Sequence, residues 1–406
     1  MNSPVIIIGA GMAGLTIAEA LRSEGFAGQV MLIGDEERSP YQRPPLSKGL
    51  LTGENTEAQL QMRTPEALEK KNIELITGVK VTTIDRASHR VHLDDGRSLE
   101  YGGLALATGS RNRPLPLPGV ELDGVISLRT FDDAKRLIEG LKDAQSMVVV
   151  GGGFIGLEVA ACANKMGKDV VILEAMDRLM ARAVAPLVSE FYAGVHRSHG
   201  VRVELNAKVS ELVGRDGHIS AVRTADGKEY PADLLLVGIG VIPNDELAKA
   251  GGLECNHGIV VDACARTLDP AIVAAGDCTA RRQADGALLR LESVQNALEQ
   301  GKSAAAALMG KDRPFVAVPW FWSDQYDVKL QMVGLSAGYD QIVTRGSQAE
   351  QKFTVFYFRA GKLLCVDSIN QPKIYMAVRK LLDKGGSPTP EQAADESFAL
   401  ETLLQS

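Results

Sequence analysis

Two hydrophobic patterns alternate along this chain of 406 residues. Apolar runs of four or five residues, bounded by glycine, read as buried strands, and each leads into a stretch with apolar positions at helical spacing. Val5 to Ile8 is the first such run, and Met147 to Val150 opens a second series mid-chain, with a helical pattern from Glu158 to Lys165. Val30 to Gly34 and Val170 to Leu173 supply the next strand of each series. Strand, helix and strand in that order predict parallel sheets of the α/β class. Val79 to Ile84, Arg90 to Leu93 and the turn Asp94-Asp95-Gly96 predict a meander, and Leu104 to Leu106 a buried strand ending in the small residues Ala107, Thr108, Gly109 and Ser110. Further helices are expected at Phe131 to Lys142, Leu187 to His199 and Val294 to Met309, and strands at Val201 to Leu205, Ile219 to Thr224, Leu234 to Val237 and Ile272 to Ala275. Past Pro314 the pattern turns aromatic and alternating, at Trp320 to Trp322, Lys329 to Val333, Phe353 to Phe358 and Lys362 to Asp367, which predicts a small antiparallel sheet before a helix at Ile374 to Leu382. Arg38 to Lys48 reads as too irregular for regular structure, and the tail beyond Gly385 as loosely ordered.

The glycines at the strand ends carry the first chemical signal. Gly9, Gly11 and Gly14 follow the first strand, and Gly151, Gly153 and Gly156 follow the strand at 147–150. The first glycine of each set permits a tight turn, the second lets backbone approach a pyrophosphate, and the third lets helix pack on strand. The helix N-terminus then offers free N–H groups and the positive end of its dipole. Glu174 ends the next strand of the mid-chain series; a carboxylate there accepts from a ribose 2′-hydroxyl and repels a 2′-phosphate, which favours NAD over NADP. Asp35 occupies the comparable region of the first series. Either motif alone is a weak signal, but two, each with strand, helix and downstream acid, predict two Rossmann-like units binding two dinucleotides, with FAD and a nicotinamide as the natural pair.

Other residues extend that picture. Asp277, in Gly276-Asp277-Cys278, follows a strand and belongs on the carboxyl edge of a parallel sheet, where ligands bind. The loop holding Arg43, Pro44, Pro45 and Lys48 is stiffened by proline and carries cations that either reach a cofactor or merely face solvent. Glu158 is either a ligand for the nicotinamide carboxamide or a solvent-facing acid favoured by the helix dipole. Hydrophobic residues make up 45% and charged residues 23%, as in ordinary globular chains of two or three domains, and the formal charge of −7 gives no support to nucleic-acid binding. No apolar run approaches a membrane span, and Met1 to Pro4 leaves no room for a signal peptide, so the expected compartment is the cytoplasm. Cys162, Cys255, Cys264, Cys278 and Cys365 form no Cys-x-x-Cys or metal-ligand spacing, so they are expected to be structural, with no metal centre. Ser47 and Lys48 stand where a disulfide- or peroxide-reducing flavoprotein would need a redox cysteine.

With these residues laid out, the chain resembles the NADH-dependent ferredoxin reductases that serve bacterial oxygenases. The likeness runs from Val5 to about Asp383 and is sharpest at Tyr41 to Lys48, Gly151 to Glu158, Val237 to Asn244, Gly276 to Cys278 and Trp320 to Tyr326. It implies a glutathione-reductase-like architecture: a discontinuous FAD-binding domain at 1–111 and 245–314, an inserted NAD-binding domain at 112–244, and a C-terminal α+β domain at 315–406. It implies that Gly9, Gly11, Gly14, Asp35, Arg43, Lys48, Val81, Ala107, Thr108, Gly109, Arg129, Asp277, Val294 and Trp322 contact FAD. NAD(H) would meet Gly151, Gly153, Ile155, Gly156, Glu174, Arg182, Gly238, Ile239, Gly240 and Glu292, with Lys48 and Glu158 paired near flavin N5 as the catalytic groups. The implied acceptor is a separate 2Fe-2S ferredoxin docking by Trp320, Trp322, Arg290, Lys302 and Lys329, with the reductase a monomer or weak homodimer. The competing readings are an NADH oxidase, which lacks its cysteine here, and a signalling flavoprotein like apoptosis-inducing factor, which expects a larger C-terminal insertion and a basic surface.

Overall fold

The structure, a computed structural model, describes residues 3–404. It divides into two compact units, Met1–Gln42 with Thr56–Arg111 and Val241–Ala317, and Arg43–Asn55 with Asn112–Gly240 and Val318–Ser406. Among the described residues no helix is long and apolar enough to cross a membrane.

The first unit is built on a parallel sheet ordered Ile272–Ala274, Gly103–Leu106, Val5–Ile8, Val30–Ile33 and Ile73–Ile76. Every residue of Val5–Ile8 is buried because both faces of the strand are covered. Val5 and Ile7 pack towards the helices Met12–Ser23 and Val294–Leu308, while Ile6 and Ile8 pack over the meander Val81–Asp85, Arg90–Leu93 and Ser98–Glu100. The two helices approach closely because Gly301 has no Cβ; one there would stand 3.0 Å from Thr16.

The second unit repeats the plan, with a parallel sheet ordered Arg202–Glu204, Asp169–Leu173, Ser146–Val150, Leu234–Val237 and Val125–Ile126. Helix Phe154–Lys165 follows the central strand and begins four residues before the sequence pattern predicts, because the glycines hide its first turn from a periodicity count. A three-stranded antiparallel sheet, Val209–Arg215, His218–Thr224 and Glu229–Pro231, packs below. The C-terminal segment forms the expected antiparallel sheet, ordered Trp320–Gln325, Val328–Gly334, Lys362–Ile369, Lys352–Arg359 and Gln341–Ser347, with helix Pro372–Asp383 against it.

Two expectations are corrected. Within Arg38 to Lys48, Pro44–Ser47 forms a 3₁₀ turn, since consecutive prolines preset φ for a helical start and need no N–H donors there. The tail beyond Gly385 is also structured: Pro390–Ala394 is a helix under a Thr389 capping box, and Leu400–Leu404 is a 3₁₀ turn. Ala393 and Leu400 are buried in the core of the C-terminal sheet. The elements are too short for helical periodicity to be read from the sequence, and their burial is tertiary.

Candidate functional site

Each unit carries its glycine turn at the carboxyl edge of its parallel sheet. Gly9 has φ of +109°, and a Cβ there would meet Ala107 O at 2.1 Å; Gly151 has φ of +108°, with Gly238 O at 2.4 Å. Gly14 and Gly156 leave no room for a Cβ either, since it would reach Gly9 O at 1.9 Å and Gly151 O at 2.3 Å. Gly11 and Gly153, by contrast, face open space. Both are helix N-caps without a side-chain cap, and neither helix has an acidic residue in its first turn. Two uncapped, positively polarised helix ends behind bare glycine are the cradle a dinucleotide pyrophosphate requires. The residues therefore fit one dinucleotide in each unit.

In the first unit, the strand ends bring together most of the residues expected at FAD. Ala107 is buried beside Gly9, Thr108 and Asn244 exchange hydrogen bonds at 2.6 and 2.9 Å, and Gly109 has φ of +65°. Asp277 accepts from Ser110 Oγ at 3.0 Å on the same edge, which follows from the adjacency of Gly103–Leu106 and Ile272–Ala274. Val294 is the first residue of its helix, behind a Ser293 cap that accepts from Asn296 N. The Val81 side chain is 5% exposed and sits in the core under the meander, which leaves its backbone for any ligand contact. Register places Gly34, not Asp35, opposite Glu174: Gly9 N bonds Ile33 O as Gly151 N bonds Leu173 O. Asp35 stands one residue further on and is exposed, while Glu36 accepts from Tyr41 Oη at 2.6 Å. Glu292 is exposed and paired with Arg290, and Lys302 bonds Glu299 at 2.6 Å.

In the second unit, Glu174 is held before any ligand arrives. Its Oε2 accepts from Gly152 N at 2.6 Å and its Oε1 from Met176 N at 2.7 Å. Gly238 crosses beside Gly151, Ile239 is half-buried and Gly240, with φ of +101°, carries the chain out of the sheet. Ile155 is 41% exposed on the first helical turn, and Arg182 is exposed. Arg43 donates to Arg129 O at 2.6 Å, at the start of helix Phe131–Asp143. Trp322 and Trp320 share one face of their strand, ring centroids 5.7 Å apart, with the Arg379 guanidinium 4.9 Å from Trp320. Phe321, on the opposite face, packs on Phe154 at 4.8 Å. Lys329 is exposed.

Glu158 is the largest departure from a local reading. It is 3% exposed, which overturns the solvent-facing alternative. Oε2 accepts from Lys48 Nζ at 2.7 Å and Ser47 Oγ at 2.6 Å, and Oε1 accepts from Ser323 Oγ at 2.7 Å. A carboxylate so deep in the protein is stable because it is paired and hydrogen-bonded at both oxygens. Ser47 and Ser323 were not among the residues expected from sequence; Ser47 could have been found as the neighbour of Lys48, but no sequence signal links Ser323 to Glu158. Behind them Cys162 Sγ lies 3.5 Å from Ser47 O, and burial pushes its thiol up to about 11. Burial likewise raises Cys255, to about 11, and Cys278 and Cys365, so these thiols are poor nucleophiles.

Known proteins resemble this chain along its whole length. The pyridine nucleotide-disulphide oxidoreductase family profile matches residues 3–301, and a reductase C-terminal profile matches 320–404. Rhodocoxin reductase of Rhodococcus erythropolis is 47% identical, over 98% of this chain and 94% of its own length. Putidaredoxin reductase CamA of Pseudomonas putida is 42% identical, over 99% and 97%. The crystal structure of the ferredoxin reductase for the CYP199A2 system of Rhodopseudomonas palustris superposes with a TM-score of 0.96 at 43% identity, covering 99% of each chain. That of the covalent putidaredoxin reductase–putidaredoxin complex gives 0.96 at 42%, covering 100% of this chain and 98% of that one. Two dinucleotide cradles, a buried Glu158 paired with Lys48 and full-length likeness place the chain among the ferredoxin reductases of the pyridine nucleotide-disulphide oxidoreductase family, enzymes that use FAD and NAD(H).

Proposed function

We propose that this chain is an NADH-dependent ferredoxin reductase that supplies a 2Fe-2S ferredoxin of an oxygenase system, either a haem-thiolate monooxygenase or a ring-hydroxylating dioxygenase. The observation that carries the reading is the Ser47-Lys48 segment seated on Glu158, where a disulfide-reducing relative would need thiols. The likeness to rhodocoxin reductase and putidaredoxin reductase supports the choice of acceptor.

When bound, NADH supplies the hydride and FAD supplies the exchange between two-electron and one-electron transfer. Gly9, Gly11 and Gly14 bare the first helix end to the FAD pyrophosphate, with Asp35 near its ribose, the Val81 backbone near its adenine and Ala107 to Gly109 along its middle. Asp277 accepts from the ribityl chain and Val294 offers a helix N–H to the flavin. Gly151, Gly153 and Gly156 hold the NADH pyrophosphate, with Ile155, Arg182 and Gly238 to Gly240 as further contacts. Glu174 accepts from the adenosine ribose and repels a 2′-phosphate. Glu158 accepts from the carboxamide and so orients the nicotinamide, while Lys48 keeps the buried carboxylate neutralised. For ferredoxin docking, Lys329 is exposed on the strand that pairs with Trp320–Gln325; Arg290 and Lys302 are already paired with Glu292 and Glu299, so their contribution is smaller.

The test is anaerobic reduction of the purified protein by NADH, followed by delivery to candidate 2Fe-2S ferredoxins with cytochrome c as the reporter. Rapid, stoichiometric oxygen consumption without ferredoxin would replace this reading by an oxidase. NADH oxidation that stays slow with every ferredoxin offered would replace it by a signalling flavoprotein.

A further inference from the structure

Glu158 ends a chain of hydrogen bonds that reaches well beyond the Lys48 pair. Ser323 Oγ, which bonds Glu158 Oε1, accepts from Gln325 Nε2 at 3.2 Å, and Gln325 Oε1 lies 2.9 Å from His196 Nε2. Ser323 and His196 are fully buried and Gln325 is 1% exposed. The four side chains come from two helices, Phe154–Lys165 and Pro186–Ser198, and the first strand of the C-terminal sheet.

Chemistry sets the direction of every bond. A carboxylate only accepts, so Ser323 gives Glu158 its single hydrogen. Ser323 oxygen then accepts from the Gln325 amide, which turns the Gln325 carbonyl towards His196. A carbonyl also only accepts, so His196 carries its hydrogen on Nε2. Burial, outweighing the Gln325 bond, lowers the His196 pKa to about 4, which keeps the ring neutral. Its Nδ1, with no partner among the described residues, is then a bare lone pair rather than an unmet donor. Lys48 and Cys162 flank the Glu158 end, and His199 and Tyr326 flank the His196 end, where Tyr326 stacks on His199 at 3.7 Å.

A carboxylate offers about four lone-pair positions. Two on Oε2 are taken by Lys48 and Ser47 and one on Oε1 by Ser323, so a single position on Oε1 remains for a ligand donor. We propose that Ser323, Gln325 and His196 are positioning residues, a one-way chain of donors that turns Glu158 so that this last lone pair meets the nicotinamide carboxamide; the proposal rests on the reading of Glu158 as the nicotinamide ligand. Because each bond polarises the next, the chain acts as a unit and its far end matters.

The experiment measures calorimetric dissociation constants of the FAD-loaded protein for NAD⁺ and for ADP-ribose, which lacks the nicotinamide. Ser323→Ala should weaken NAD⁺ about tenfold, the loss of one bond to a charged group. Ser323→Thr should restore most of that affinity, and His196→Phe should weaken NAD⁺ by about threefold, as expected for a cooperative contribution one step removed. ADP-ribose should bind every variant as it binds the wild type. In a Glu158→Gln background, Ser323→Ala should cost little more, since coupled residues are not additive. If Glu158→Gln weakens NAD⁺ but Ser323→Ala and His196→Phe do not, the donor chain is overturned and the Glu158 reading stands. Equal losses for ADP-ribose also overturn the chain, as a purely structural effect. If Glu158→Gln leaves NAD⁺ binding unchanged, the Glu158 reading itself fails.

Discussion

Gly152 offers a test of cofactor choice at a residue that touches no expected ligand. Its N–H is one of the two backbone donors that seat Glu174, at 2.6 Å. A Cβ there would lie 3.0 Å from Glu174 Oε2, 3.3 Å from Glu174 Cβ and 2.5 Å from Leu179 Cδ2. Ordinary carbon contacts begin near 3.5 Å, so something must move by about an ångström. Gly152 lies outside the left-handed region, so alanine strains no backbone there and the whole effect is one of space. Leu179, though fully buried, must turn its tip aside to relieve the 2.5 Å contact, and the half-buried Glu174 must shift as well to relieve the other two. Displacing it forfeits one charge-assisted bond, about 1.5–3 kcal/mol, or roughly 10- to 100-fold in affinity. The first unit shows the same exclusion in reverse. Ala10 stands in the position of Gly152 and Gly34 in that of Glu174, where a Cβ would be 2.7 Å from Ala10 Cβ. We therefore expect Gly152→Ala to raise the dissociation constant for NAD⁺ by about that factor while leaving NADP⁺ little changed or improved, so that discrimination falls. Calorimetric titration of both nucleotides against the FAD-loaded variant measures it. An NAD⁺ constant within about twofold of wild type, with NADP⁺ still rejected, would refute the argument that Gly152 makes room for Glu174.

Other expectations follow from the same geometry. Glu158→Ala should slow anaerobic reduction by NADH about 10- to 100-fold while electron delivery to ferredoxin, measured after dithionite reduction, changes little; reduction at the wild-type rate in stopped flow would sink the role given to Glu158. Asp367 is fully buried, accepts from Tyr357, and desolvation raises it to about 7 despite that bond. The folded state therefore holds its proton up to that pH, a contribution present below about pH 4 and lost as pH rises through about 7. Asp367→Asn does not titrate, so the stability of wild type relative to the variant should fall by about 3 kcal/mol from pH 5 to pH 8; a constant difference in unfolding experiments at the two pH values would contradict the assignment. Leu400→Ala, in the buried tail, should lower stability by about 2–5 kcal/mol, visible as a lower Tm, whereas a loosely ordered tail would show no change. Turnover with ferredoxin should fall as salt is raised if Lys329 steers docking, and a flat salt profile would point to apolar contact at Trp320 and Trp322 instead.

The repeated strand–glycine–helix plan was legible because its signals are local: glycine spacing, short apolar runs and the acid after the second strand all lie within a few dozen residues. The antiparallel C-terminal sheet was legible for the same reason, although its edge strand Gln341–Ser347 was not, since its residues are half-buried and lack clear alternation. The ordered tail was missed because two elements of five residues hold no periodicity of their own. The residues around Glu158 were only half visible. Glu158 and Lys48 stood out by type and position, but Ser323 and His196 look like ordinary polar residues until the fold places them.

The sequence by itself determined that the chain carries two dinucleotide-binding motifs, that an acid, Glu174, ends the second strand of the mid-chain series, and that no cysteine stands in the Ser47-Lys48 segment. Those facts depend on residue type and short spacing, which folding preserves. Tertiary structure alone decided that Glu158 is buried, that segments 110 and 165 positions away in sequence fill three of its lone pairs, and that one remains. No spacing rule could supply that, because a buried charge is specified by whatever partners the packed core brings within hydrogen-bond distance, and those partners come from wherever the chain returns.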